Sequence, residues 1–276
     1  MSRVGGRGGW STILLGLTAV VLGAAVTGAQ AQMKSDDLRF RATIYGWFPG
    51  ISGTTEFPTG SGGLSMNVDA DTIIENLKMA FMGTLEVQSG QWGGFVDWVY
   101  ADIGGDKSGT RDFSIRGQTL ATGVSANLSL DVKSNILTLA GTYALVEEPA
   151  SSLRLVFGAR MLDMDQTLNW AFTGSGPAGI AVAGTTEVSA TNWDAIIGLR
   201  GRARFGDGLR WFVPYYADLG GGNSKFTWQA IAGLGYSFSW GDVGVVWRYL
   251  DYEFKSGEPV ETLTFSGAAI GVSFAF

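Results

Sequence analysis

The chain has no histidine and no cysteine, and each absence removes a class of chemistry. Without imidazole no Ser-His or Asp-His pair can serve as nucleophile and base. Without thiols neither a disulfide framework nor a thiolate metal site can form. Proline is sparse, with six residues, and beyond the N-terminal segment no uninterrupted apolar run is long enough to cross a bilayer as a helix. Yet hydrophobic residues make up 46% of the chain, so they must be dispersed by alternation. Forty-two glycines and ten tryptophans, with many Ser, Thr, Tyr and Phe, indicate many strands joined by turns, an all-β class.

Arg3 and Arg7 precede an apolar run from Ile13 to Val26 and then Ala29-Gln30-Ala31. This reads as a secretory signal peptide (1–31) cleaved after Ala31, leaving 32–276 as one domain. The apolar run is shorter than the roughly 20 residues a spanning helix needs. Its removal leaves 19 − 2 = 17 basic residues against 25 acidic ones, a net charge of −8 and a poor surface for nucleic acid.

The clearest strand covers 226–240. Phe226, Trp228, Ala230, Ala232, Leu234, Tyr236, Phe238 and Trp240 share one face against Thr227, Gln229, Gly233, Gly235, Ser237 and Ser239. Aromatic residues near both ends of a strictly alternating stripe suit a lipid-facing strand, because amphipathic rings favour both membrane interfaces. Further stretches at 39–48, 78–88, 93–102, 122–146, 153–165, 186–205, 209–218, 242–254 and 262–276 bring the count to ten, with eight or twelve left open. Connections at 89–91, 147–152, 206–208 and 241 are short. Those at 49–77, 103–121, 166–185, 219–224 and 255–261 are mostly longer. Short turns alternating with longer loops are what a closed antiparallel transmembrane β-barrel requires. The span 122–146 is long enough for two strands, and Leu263 and Phe265 lie out of phase with Ile270 to Phe276, which predicts a bulge. Asp69 to Leu77 has acids early and apolar residues at helical spacing, and reads as a short helix in the first loop.

If the apolar faces look outward, Arg41, Glu86, Asp97, Arg154, Arg160, Asp194, Arg200, Arg202 and Arg248 look inward. In so narrow a lumen these charges must pair, giving either a salt-bridged plug or a narrow charged pore. Six arginines against three acids would favour anions in an open pore. A second pattern recurs as Tyr100-Ala-Asp102, Met161-Leu-Asp163, Tyr216-Ala-Asp218 and Tyr249-Leu-Asp251. It suits an interfacial girdle with acids just beyond the hydrocarbon. Asp102, Asp163, Asp165, Asp218, Asp251 and Glu253 are therefore candidates to contact lipopolysaccharide, through divalent cations, or are simply solvated. Asp163 with Asp165 could pair as catalytic carboxylates, but solvated acids at a strand end are the plainer reading. The glycine runs at 104–105 and 220–222 lack the Lys-Ser/Thr of a phosphate loop and read as loop tips. No cofactor or resident metal is expected.

The last residues, Ile270-Gly-Val-Ser-Phe-Ala-Phe276, resemble the C-terminal assembly signal of bacterial outer-membrane barrels, with Ile270, Val272, Phe274 and Phe276 as its alternating hydrophobics. The chain from 32 on is also similar to a broad, poorly characterised family of small proteobacterial barrels. That likeness is carried by Tyr45-Gly-Trp-Phe-Pro-Gly-Ile-Ser-Gly53, Gly90-Gln-Trp-Gly93 with Asp97 and Tyr100, Gly158-Ala-Arg160, Gly198-Leu-Arg-Gly201, Pro214-Tyr-Tyr-Ala-Asp218, Trp228-Gln-Ala230 and Tyr249-Leu-Asp-Tyr252. The resemblance implies outer-membrane location, with membrane lipid, lipopolysaccharide and the barrel assembly machinery as partners, and carries no substrate. Barrel enzymes such as omptin proteases and lipid A deacylases use a histidine base, which this chain lacks. The expected role is non-enzymatic, in envelope integrity or narrow passive passage of small solutes. The alternative is a surface-binding or adhesion module using the first loop (49–77).

Overall fold

The computed structural model describes residues 38–55, 64–108, 114–115, 118–119, 124–174, 181–258 and 260–276. The expected signal peptide lies outside them. The strands are β1 (Arg39–Thr55), β2 (Leu64–Val68), β3 (Leu77–Ser89), β4 (Trp92–Ser108), β5 (Ser114–Ile115), β6 (Gln118–Thr119), β7 (Val124–Glu147), β8 (Ser151–Gly174), β9 (Ala181–Phe205), β10 (Trp211–Gly222), β11 (Phe226–Ser237), β12 (Asp242–Glu253) and β13 (Val260–Ala275), with one helix, α1 (Ala70–Glu75). Ten of them, β1, β3, β4 and β7 to β13, pair antiparallel in chain order, and β13 returns to β1 from Arg41↔Ala275 to Thr54↔Thr262. The sheet is thus a closed ten-stranded barrel. Backbone bonds Phe40 N→Phe276 O (2.9 Å) and Phe276 N→Phe40 O (3.0 Å) complete the seam. Closure joins the ten strands into one ring, which is how backbone can cross hydrocarbon in extended form, with the β1–β3 ladder confined to Arg39↔Gln88 through Ile44↔Gly83.

Alternation places large apolar side chains outward. Ile44, Leu85, Trp92, Leu139, Ile197, Leu199, Leu234, Val245 and Ile270 are all exposed, a surface stable against acyl chains rather than water. At the short-turn rim the aromatic rings form a linked series, Trp211–Tyr236–Phe238–Trp240–Phe274, with successive centroids 4.8 to 5.9 Å apart. At the opposite rim Phe81 packs on Trp98 and Trp228 on Tyr249. From Phe226 to Tyr236, at about 3.3 Å per residue and tilted about 40°, the band between the girdles is about 25 Å tall.

The short connections occur where the sequence places them. The one at Gly206 and Gly208 uses φ of 75° and 66°, conformations that cost glycine nothing. The span 122–146, counted as one stretch though long enough for two, is a single strand over its described part, β7. Three expectations need correction. In β13 the one register shift lies at Val260–Thr262, opposite Thr55 and Thr54, and not between Phe265 and Ile270 where the change of phase predicts it, since the register runs unbroken from Leu263 to Ser273 on both neighbours. Leu263 and Phe265 point inward because that half of the lumen is filled with apolar side chains, so the two faces of β13 exchange character halfway along it. The loop at 166–185 is largely strand: β7, β8 and β9 continue their ladders about 40 Å along the chain beyond Trp98, Leu137, Met161 and Trp193. There the outward residues turn polar, so hydrophobic periodicity ends while pairing does not. Most of the described part of 49–77 is likewise ordered: β1 pairs with β2, and α1 follows with Ile73 buried.

Candidate functional site

Trp47, Met82, Val99, Ile136, Leu162, Met164, Leu250, Tyr252, Leu263, Phe265 and Ala269 form a buried cluster inside the long-hairpin half of the barrel. Asp194 on β9, Asp218 on β10 and Gln229 on β11 are also buried, so each of the ten barrel strands contributes a side chain to the packed interior. All nine ionisable residues read as lumenal from their parity lie on inward faces. The structure joins eight of them to acids or bases on other strands.

Charge pairs climb the lumen from the short-turn rim. Arg154 bonds Glu147 (2.5 Å), Arg200 bonds Glu86 (2.5 Å), and Arg248 bonds Asp97 (3.1 Å). Arg41 (2.6 Å) and Arg202 (2.5 Å) both donate to Oδ2 of Asp242. Deeper still, Arg160 pairs with Asp218, and neither side chain reaches solvent. Asp194 is held by Ser224, which donates its backbone N–H to Oδ1 (2.9 Å) and its hydroxyl to Oδ2 (2.8 Å). Hydroxyls and amides extend the network: Tyr45 donates to Asp97 (2.7 Å), Arg248 Nη1 donates to Tyr45 (2.9 Å), and Arg248 Nε donates to Gln229 (3.0 Å), while Arg160 Nε and Nη1 and Asp218 Oδ1 find no hydrogen-bond partner among the described residues. Buried charge is tolerable only when paired in this way. Aromatic rings hold several of the guanidinium planes: Arg200 lies 4.7 Å from Phe95, Arg202 4.7 Å from Phe212 and Arg248 4.6 Å from Trp47.

Below the Arg248–Asp97 level the lumen opens into a cavity of about 380 Å³ whose mouth is edged by Glu147 to Pro149 in a short turn. Asp242, Arg204, Phe95 and Phe212 belong to this site, and sequence reasoning missed them. Parity could have found the first two, since Arg204 shares the phase of Arg200 and Arg202, and Asp242 that of Arg248.

The rim acids divide. Asp102, Asp163, Asp165, Asp251 and Glu253 face outward or lie at the outer rim. Asp218 does not: it is 5% exposed, inside the barrel, and accepts from Tyr216 as well as Arg160. In β10 the residues Phe212, Tyr216 and Asp218 face the buried interior while Trp211, Val213 and Leu219 are exposed, so its Tyr-x-Asp has the opposite phase to the other three. On the outer face the ladder aligns Tyr100, Asn135, Asp163 and Thr191 in one row and Asp102, Lys133, Asp165 and Ser189 in the next. Asp163 accepts from Thr191 (2.5 Å), Asp251 accepts from Thr264 (2.5 Å), and Glu253 pairs with Lys225. Among the described residues no three acidic side chains gather closely enough to hold a metal ion. Ile270, Val272, Phe274 and Phe276 alternate onto the outward face of β13, where Phe276 stacks on Phe40 (5.8 Å).

No protein-family model and no curated protein sequence matches the chain. Its fold is similar to that of the outer membrane protease OmpT from Escherichia coli, with a TM-score of 0.51 over 87% of this chain and 97% of that one, at 14% identity. The translocator domain of the autotransporter NalP from Neisseria meningitidis gives 0.41 over 89% and 90% at 15% identity. Ail, the attachment invasion locus protein of Yersinia pestis, gives 0.33 over 87% and 99% at 11% identity. At 14% identity the likeness to OmpT is one of fold, a closed barrel of the outer-membrane kind.

Proposed function

We propose that this chain is a non-enzymatic protein of the bacterial outer membrane whose filled barrel contributes to envelope integrity and does not serve as a solute channel. The observation that carries this reading is the packed interior, to which every barrel strand contributes a buried side chain. An apolar constriction excludes water, and with it dissolved ions. The outward apolar band and its two aromatic girdles support the membrane location. The absence of histidine, in a fold also used by a protease, supports a non-enzymatic role. In planar bilayers the purified barrel is expected to be silent, whereas Ile136→Ser with Leu250→Ser and Phe265→Ser should produce steps; conductance by the unaltered protein would refute the reading. A heat-modifiable band in the outer-membrane fraction tests the location separately.

A second reading, a surface-binding role, is favoured by the projecting ladders of β7, β8 and β9 and by the β1–β2 hairpin with α1, all on the long-hairpin side. In either case the row Asp102, Lys133 and Asp165 lies just beyond the upper girdle, where it would meet lipopolysaccharide headgroups. Ile270, Val272, Phe274 and Phe276 would engage the assembly machinery during insertion.

A further inference from the structure

Most lumenal arginines have a carboxylate of their own, but one group does not. Arg41 and Arg202 share a single oxygen of Asp242, whose other oxygen accepts from Ser237 (2.7 Å). The Ser237 hydroxyl in turn accepts from Arg204 (3.1 Å), whose further bond goes to the carbonyl of Leu209 (3.3 Å). Two guanidinium groups thus share one carboxylate, and a third reaches it through Ser237. Among the described residues, their remaining N–H groups meet no other protein acceptor. Phe212 fixes the planes of two of them, with Arg202 at 4.7 Å and Arg204 at 5.6 Å from its ring. These groups border the 380 Å³ cavity, which is open toward the short turns and closed above by the Arg248–Asp97 pair and the apolar layer.

We propose that this vestibule binds a small oxyanion, a carboxylate or phosphate group, between Arg41, Arg202 and Arg204. Planar forks stacked on a ring and left with unused donors are pre-organised for bidentate oxyanion recognition. Around Asp242 the guanidinium groups outnumber the carboxylate, and over the whole lining six arginines meet Glu86, Asp97, Glu147, Glu148 and Asp242, a small positive excess that attracts an anion in a partly desolvated space. The cavity size suits a small molecule. The site is separate from the sealing of the lumen and does not depend on that role.

The test is isothermal titration of the folded, detergent-solubilised protein with sodium phosphate and, separately, with succinate, at constant ionic strength with chloride as reference. Saturable one-site binding of at least one anion is expected, weakened about tenfold or more in Arg202→Gln with Arg204→Gln and unchanged in Arg210→Gln at the exposed turn. Binding of phosphate alone identifies a phosphate ligand, and of succinate alone a carboxylate. Asp242→Asn guards against misfolding as an explanation, because it should tighten binding and let the anion raise the variant's unfolding temperature. No saturable heat up to about 20 mM, or binding indifferent to both the arginine and the Asp242 variants, would overturn the proposal.

Discussion

Arg160 and Asp218 meet inside the barrel over the inward face of β9, which separates their strands β8 and β10, and neither side chain reaches solvent. A buried ion pair is held by its partner rather than by water, so the two halves are not independently dispensable. Asp218→Asn or Arg160→Gln should each destabilise the barrel by about 3–5 kcal/mol. Replacing both, Arg160→Met with Asp218→Leu, should recover most of that loss, because no uncompensated charge remains. Urea titration of folding into lipid vesicles measures it; equal losses for the single and double variants would contradict this account.

Gly235 permits the Phe212 ring to lie inside the barrel, since a Cβ at that position would come within 2.2 Å of the ring. Phe212 is 3% exposed and supports Arg202 and Arg204. Gly235→Val should therefore cost about 1–3 kcal/mol and also weaken anion binding in the vestibule, read by the same urea titration and by calorimetry.

Leu139 lies on the outward face of β7 between the girdles, and its side chain is 42% exposed. Leu139→Arg should destabilise the membrane-inserted state by about 2–4 kcal/mol, whereas a charge added on the polar collar at Ser189 should cost little. Folding titrations in vesicles compare the two, and similar costs would contradict the position of the band.

Outside the upper girdle Lys133 stands in register between Asp102 and Asp165. Alternating signs weaken the case for divalent bridging in this row. Asn at Asp102, Asp163 and Asp165 should then leave the sensitivity of cells to chelators unchanged. A marked increase in sensitivity would restore a cation-bridged contact with lipopolysaccharide.

Much of this architecture was legible in the residues. Period-two alternation matches the observed faces of β11 from Phe226 to Ser237, where the strand ends and the expected residues 238–240 form the turn instead, and ten such stretches correspond to the ten barrel strands. The inward arginines and acids followed from the same parity. The Tyr-x-Asp motif shows where that reasoning stops, since the same three-residue pattern faces outward at Asp102 and inward at Asp218. A motif carries no parity; only the strand's neighbours set it. Leu263 and Phe265 misled for a related reason, because an inward apolar residue resembles an outward one displaced by a bulge.

The sequence alone determined the class of fold, the presence of an apolar outer face and the exclusion of imidazole and thiol chemistry, because alternation and composition are local properties. Only the tertiary structure decided which charges meet, that Asp242 serves two arginines, and that an apolar cluster fills the long-hairpin half of the interior beside the buried Arg160–Asp218 pair. Those outcomes depend on closure and on the stagger of ten strands, which bring residues as far apart as Arg41 and Asp242 within bonding distance.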